Sequence, residues 1–258
     1  MSNDLSSGIV IPAYNPDVQT LLQYIENIKN TIKPGRIHVE IDSPSEESIS
    51  ELDNVVDSIH ISEDRRGKGS AIMSGFDLLN TDILAFADAD GSVPASSLYD
   101  IISQVSDGNE DVCISSRRHP SSRIMSHQTI MRRFLGDVFA YTARKMLPTQ
   151  CRDYQCGAKA VRAEAWESIG HHCYEPGFAW DMEFVSVAGS LGYKIAEVPV
   201  DWKDHPNSTV NPISTSIELA TALINIKRRT DAIASSPRFR NVDQTVQSNL
   251  LDLDENDD

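Results

Sequence analysis

Ile83-Leu84-Ala85-Phe86-Ala87-Asp88-Ala89-Asp90 is an apolar run that ends on two carboxylates, and Gly91-Ser92-Val93-Pro94 follows at once. A short apolar run bounded by a turn signal has the length of a buried strand rather than a helix. Asp, Ser and Pro in close order also favour a helix start, so taken alone the acids read equally well as a cap for the next helix. Two carboxylates at a strand's carboxyl end are, however, hard oxygen ligands suited to Mg²⁺ or Mn²⁺. Such an ion keeps open positions for the oxygens of a substrate diphosphate. The surrounding sequence decides between the two readings.

Upstream, Ile9-Val10-Ile11 is broken by Pro12-Ala13-Tyr14-Asn15-Pro16, after which Val18, Leu21, Leu22, Ile25 and Ile28 recur at helical spacing. Pro34-Gly35 stops that helix, Ile37-His38-Val39-Glu40-Ile41 alternates as a second strand, and Asp42-Ser43-Pro44-Ser45 turns the chain. The pattern continues with a strand over 58–61, a helix over 69–79, the strand 83–87, a helix over 95–105 and a strand over 112–115. This alternation predicts a single α/β domain, a mostly parallel sheet with helices on both faces. Ligands of such sheets bind beyond the carboxyl ends of the strands, where strand order reverses. Tyr14-Asn15, Asp42, Asp88 to Asp90 and Arg117 each follow a predicted strand, so one crevice collects them.

From Arg117 to Lys145 the charged residues are Arg117, Arg118, Arg123, Arg132, Arg133, Arg144 and Lys145 against the single acid Asp137. The pattern fits a helix with a solvated basic face, or an anion site, because the planar fork of Arg matches phosphate oxygens. Further on, Asp153 to Lys159 leads into a helix over 163–169. Phe178 to Phe184 opens another, 195–200 reads as a strand and 201–208 as a polar loop. Ile213, Ile217, Ala220 and Ile224 mark a weakly amphipathic helix ending in Lys227-Arg228-Arg229, expected to pack onto the parent domain rather than lie on a membrane. Residues from about 235 on are polar and acidic, with the composition of a disordered tail.

A formal net charge of −15 over 258 residues argues against a nucleic-acid partner and suits solution in concentrated salt. The start of the chain, Met1 to Gly8, carries no secretory signal, and no apolar run reaches the length of a membrane-spanning helix, so an intracellular setting with at most peripheral membrane contact is expected. Cys113, Cys151, Cys156 and Cys173 form no CxxC pair. Cys151, Cys156, His171, His172 and Cys173 cluster in sequence at spacings that fit no common zinc pattern, so buried thiols are expected.

The chain resembles the inverting family-2 glycosyltransferases of GT-A type, and within them the dolichyl-phosphate mannose or glucose synthases. The resemblance rests on Val10 to Asn15, Arg66-Gly67-Lys68-Gly69, Asp88-Ala89-Asp90, Ser116-Arg117, Asp153 through Lys159, Trp180-Asp181-Met182-Glu183 and Gly192 through Val200, all in the family's order. It implies a Rossmann-like GT-A domain over 8–212, with a nucleotide-sugar and metal half (8–117) and an acceptor half (118–212). A polar segment (1–7) precedes it; a C-terminal helix (213–234) and an acidic tail (235–258) follow. It further implies a UDP- or GDP-linked sugar donor, Mg²⁺ or Mn²⁺, and dolichyl phosphate or a lipid-linked glycan as acceptor. The implied setting is the cytoplasmic face of the cell membrane, in a protein N-glycosylation pathway of haloarchaeal type.

Carried over by position, Pro12, Ala13, Tyr14, Asp42, Lys68, Asp88, Ala89, Arg117 and Lys203 contact the nucleotide sugar. Asp88, Asp90 and Ser92 hold the metal, Arg132 and Arg133 take the acceptor phosphate, and Asp181 and Asp90 are the catalytic carboxylates. Trp202, Lys203 and Ser208 fall in a loop that covers the donor in relatives. The chain departs from the family where Pro16 precedes Asp17, where Ser43 stands in place of a second acid, and where Ser92 replaces a stronger polar ligand. A lipid phosphate is already ionised near neutral pH and needs no general base, whereas a sugar hydroxyl needs one, and Asp181 is the candidate.

Overall fold

The computed structural model describes residues 5–44, 46–125, 130–203 and 212–236. In chain order the elements are β1 (Ser7–Tyr14), α1 (Val18–Thr31), β2 (Arg36–Asp42), α2 (Glu46–Leu52), β3 (Ser58–Ser62), α3 (Lys68–Leu78), β4 (Ile83–Ala87), α4 (Ala95–Ser106) and β5 (Val112–Ser116). There follow β6 (Arg123–Ile124), α5 (Ile130–Met146), β7 (Ala158–Arg162), α6 (Ala163–Gly170), α7 (Trp180–Ser190), β8 (Ile195–Pro199), β9 (Asp201–Trp202) and α8 (Pro212–Ser235).

The main sheet has the order β3-β2-β1-β4-β7-β5-β8, and every pairing in it is parallel except those of β7, which runs antiparallel to both β4 and β5. The chain builds β1, β2 and β3 outward in one direction and then returns to lay β4 on the other side of β1. That reversal opens a crevice at the carboxyl ends of β1 and β4.

Strand alternation sorts the core onto two faces. Val10, Leu84, Phe86, Ile114 and Val161 point to one side, under α3, α6, α7 and α8; Ile9, Ile11, Ala85, Ala87, Cys113 and Ala160 point to the other, under α1 and α4. On the first side Trp180 is fully buried, stacked 5.1 Å from Phe184 and edge-on to Phe86 at 5.5 Å. That packing anchors the start of α7, and with it the neighbouring Asp181.

Four elements differ from the sequence-based expectation. Lys159 interrupts the apolar stretch of β7, which hides it from an apolar-run criterion. The stretch after Asp42, read as a turn, runs on into α2. The two-residue strands β6 and β9 pair in parallel, Arg123 with Asp201 and Ile124 with Trp202, the first inside the stretch read as a basic helix or anion site and the second inside one read as loop. They are too short to carry a period. Asp17, displaced by Pro16 from the acidic position usual in the family, caps α1 by accepting the Thr20 N–H at 2.8 Å.

Candidate functional site

The crevice walls come from strand ends held in register. Tyr14 and Asp42 are partners at the ends of β1 and β2, and Asp88, just past β4, donates its N–H to the Gly157 carbonyl at 2.8 Å. Antiparallel β7 is what brings Gly157 there, since Ala158 pairs with Ala87. Asn15 and Ser43 turn the chain away from their strands with φ of 43° and 51°. Ala13 is buried and Pro12 half-buried, while Tyr14 is 40% exposed with the Arg65 guanidinium 4.1 Å above its ring.

Behind the crevice runs a chain of alternating charge. Lys68 Nζ lies 2.8 Å from Asp88 Oδ1 and 2.8 Å from Asp181 Oδ2. Lys159 Nζ donates to Asp181 Oδ1 at 2.5 Å and to the Cys156 carbonyl at 2.9 Å. Phe86 presents its ring to both ammonium groups, 5.0 Å from Lys68 and 5.4 Å from Lys159. Asp181 and Lys159 are each only 1% exposed. Burial works against ionisation of Asp181, but the two lysines outweigh it and hold its carboxyl below the ordinary value.

Asp88 differs, with about a third of its side chain facing the crevice. Desolvation raises its carboxyl, Lys68 opposes that, and the charges of Asp90 and Asp181 add to the rise. With both oxygens taken by lysines and only 1% of the residue exposed, Asp181 is a weak base in this arrangement. It is not a helix cap either, because Ala179 holds the N-cap position of α7.

Asp90 is exposed, and its Oδ1 accepts the Ser92 N–H at 2.9 Å, which aims the carboxylate out of the turn. Ser92 is buried; its carbonyl accepts the N–H of exposed Lys203 at 3.0 Å, so the chain after β9 is tied to the carboxylate turn. Ala89, between the acids, is partly buried. Tyr24 seals the turn from below by donating to the Val93 carbonyl at 2.7 Å. Among the described residues no group of three or more His, Cys, Asp or Glu forms a cage for a metal ion. The donor set at this turn, exposed Asp90 beside partly exposed Asp88, fits a hard divalent cation that completes its shell with diphosphate oxygens and water.

Three other groups of candidates lie in different surroundings. Arg117 bonds Asp153 through Nε at 2.7 Å, Nη2 at 2.8 Å and its own N–H at 3.0 Å, and its guanidinium lies 5.6 Å from the Trp202 ring. It therefore braces β5 against the 153–157 segment, with part of its fork left for a ligand. Asp42, 3% exposed, accepts from the Arg66 N–H at 2.7 Å, Arg66 Nε at 2.9 Å and the Gly67 N–H at 3.1 Å, so its carboxylate is engaged by protein. Arg132 and Arg133 belong to α5, but their side chains lie outside the described residues, as does Ser208.

All four cysteines are free and buried. Burial pushes the Cys156 thiol up to about 11 and those of Cys113 and Cys151 up to about 12, so none is poised as a thiolate ligand.

A family-wide sequence pattern, described as Glycosyl transferase family 2, matches residues 8–170, from the start of β1 through α6. The chain belongs to that family. It is 25% identical over 227 residues to glycosyltransferase AglD of Haloferax volcanii, covering 84% of this chain and 36% of that protein. It is also 26% identical over 244 residues to a dolichyl-phosphate beta-glucosyltransferase of Dictyostelium discoideum, covering 86% of this chain and 74% of that one. The Saccharomyces cerevisiae dolichyl-phosphate beta-glucosyltransferase is 29% identical over 178 residues, with 63% and 52% covered. The chain thus spans about a third of the first relative, three quarters of the second and half of the third.

Glucosyl-3-phosphoglycerate synthase from Mycobacterium tuberculosis, solved with Mn²⁺, UDP-glucose and phosphoglyceric acid, superposes with a TM-score of 0.69 at 16% identity, over 86% of this chain and 80% of that one. This likeness establishes the GT-A glycosyltransferase fold.

The sequence does not single out Lys159, Gly157, Asp153 or Arg66 as individual site residues. A lone lysine between alanines in a strand-length segment was the available signal for Lys159, since a charge in a buried strand needs a partner. For Gly157 no signal existed short of the structure: a Cβ there would meet Asp88 Oδ2 at 2.1 Å.

Proposed function

We propose that the protein is a metal-dependent inverting glycosyltransferase that moves a hexose from a UDP- or GDP-linked sugar to dolichyl phosphate at a membrane surface. The observation that carries the acceptor assignment is the enclosure of Asp181 between Lys68 and Lys159. An acceptor hydroxyl would need a base to take its proton, whereas a lipid phosphate arrives ionised. The enclosed carboxylate suits the second case, and the names of the Dictyostelium and yeast relatives point the same way.

In this reading Pro12, Ala13 and Tyr14 line the nucleotide pocket, and Asp90, with Asp88 and Ser92, holds the divalent cation. When bound, the cation supplies Lewis-acid stabilisation of charge on the departing diphosphate. Lys68 adds positive charge beside Asp88, while Lys203 and the free part of the Arg117 fork face the same phosphates. A phosphate oxygen of the acceptor forms its bond to the anomeric carbon as the bond from that carbon to the diphosphate breaks on the opposite side. No proton moves. Asp181 positions Lys68, and Arg132 and Arg133 are assigned to the acceptor phosphate. No helix among the described residues is long and apolar enough to cross a membrane. Contact with the lipid acceptor is accordingly proposed as peripheral, on the cytoplasmic face.

The competing activity, extension of a lipid-linked glycan at a sugar hydroxyl, separates in one assay. Radiolabelled nucleotide sugar is incubated with the protein, Mn²⁺ and dolichyl phosphate, with and without preassembled lipid-linked sugar. Label on dolichyl phosphate alone supports the proposal; label that appears only with the preassembled glycan overturns it. No consumption of any donor leaves a non-catalytic binder and overturns both enzymatic readings.

A further inference from the structure

Beneath α3, on β2 and β3, lies a polar network in a position that a doubly covered sheet normally fills with apolar side chains. Glu40 is completely buried. Its Oε1 is 3.0 Å from His38 Nε2, and its Oε2 is 2.9 Å from His60 Nδ1 and 2.7 Å from Arg66 Nη2. His38 Nδ1 reaches Ser58 Oγ at 2.8 Å, so the network follows the strand register, His38 opposite Ser58 and Glu40 opposite His60. Burial disfavours the Glu40 carboxylate, yet the bonds from His38, Arg66 and His60 outweigh it and keep the group ionised. Helix α3 rests directly on this layer, since a Cβ at Gly75 would come within 3.2 Å of the His38 ring.

Such a network is not explained by stability alone, because a buried ion pair is often no better than apolar residues of the same volume. Its outlet is Arg66, whose guanidinium bridges Glu40 and Asp42 while its N–H and that of Gly67 bond Asp42. The next residue is Lys68, the group bonded to Asp88 and Asp181. The turn is tight, for Gly67 has φ of 98° and a Cβ at Gly69 would stand 2.3 Å from the Glu175 carbonyl.

We propose that Glu40 is a positioning residue for the sugar-nucleotide donor: by gripping Arg66 jointly with Asp42 it fixes the turn that presents Lys68 to Asp88. The inference rests on the donor site proposed above and adds to it a set of residues that touch no substrate.

The test uses the full chain with Mn²⁺, reading KM for nucleotide sugar and for dolichyl phosphate, calorimetric binding of UDP and GDP, and Tm. Glu40→Gln and Arg66→Lys are each expected to raise the donor KM and weaken nucleoside diphosphate binding about tenfold, with the acceptor KM within about twofold of wild type. The double variant is expected to be no worse than the stronger single one, since the two residues act as one unit. If Glu40→Gln does not fold, His60→Gln is the substitute, because His60 is half-exposed and supports Glu40 from one side only; a smaller donor-side shift of the same kind is expected. Donor constants unchanged in the variants, or donor and acceptor constants worsening together with a fall in Tm, overturn the proposal alone. A wild-type protein that binds neither UDP nor GDP overturns the donor-site reading and the proposal with it.

Discussion

Asp88 owes its position to a residue with no side chain. Because a Cβ at position 157 would stand 2.1 Å from Asp88 Oδ2, Gly157→Ala is expected to displace the carboxylate from Lys68 and from the crevice. The expected outcome is at least a tenfold loss of Mn²⁺ affinity in the presence of UDP, measured by electron paramagnetic resonance, with turnover falling in parallel. Asp181 makes a different prediction, because its carboxyl is held below the ordinary value by two lysines. Asp181→Asn should abolish most activity by leaving buried Lys159 without a carboxylate and Lys68 with Asp88 alone, at a stability cost of about 3–5 kcal/mol. Exogenous carboxylate bases, assayed in kinetics, should not restore turnover, since the lost function is positional; recovery by azide or formate would identify Asp181 as a base instead.

At the scale of elements, the β7 segment decides how β5 and β8 join the rest of the sheet, because it lies between β4 and β5. Its entry is pinned by Asp153, whose burial opposes ionisation but whose bonds to Arg117 hold its carboxyl far below the usual carboxylate range. A lowered folded value stabilises the protein fully above the unfolded carboxylate's value of about 4, and that stabilisation is lost as pH falls from there toward the folded value. Asp153→Asn is thus expected to cost about 3–5 kcal/mol in urea denaturation at pH 7, and the gap from wild type should narrow below pH of about 4. A gap independent of pH would show that Arg117 is not the partner that matters.

The same segment marks where sequence reading stops. The strands β1, β2, β4 and β5 were legible because their apolar residues run together or alternate and end in turn residues. β7 was not, because Lys159 breaks its run and its direction depends on long-range pairing. The placement of Tyr14, Asp42, Asp88 and Asp90 at or just past strand ends is legible in the alternation of apolar runs and turn residues, while their roles rest on the resemblance. Arg66, Asp153 and Lys159 lie 24, 36 and 22 residues from their respective partners Asp42, Arg117 and Asp181, a separation that no local pattern encodes.

Across the whole molecule, α8 covers α7, burying Leu219, Leu223, Ile226 and Ile233 along one stripe. Arg229 completes the contact, 2.8 Å from fully buried Glu183 and 2.5 Å from Glu175. Glu183 in turn accepts the N–H groups of Tyr174 and Glu175, in the loop whose Pro176 carbonyl accepts the Ser70 N–H at the start of α3. The C-terminal helix is thereby linked to the turn that carries Lys68. Arg229→Ala should lower stability toward the low end of about 3–5 kcal/mol, because a third of the arginine is solvated, and should lower turnover beyond what the unfolded fraction accounts for.

The central claim is that a divalent cation at Asp90 and Asp88 draws charge from a breaking bond between sugar and diphosphate. Its most direct measurement is transfer of labelled sugar to dolichyl phosphate by purified protein, with Mn²⁺, with excess chelator, and by Asp90→Ala. The account predicts transfer with Mn²⁺, loss in chelator reversed by added Mn²⁺, and no transfer by Asp90→Ala with its fold intact by circular dichroism. Undiminished transfer in chelator, or by Asp90→Ala, would contradict it.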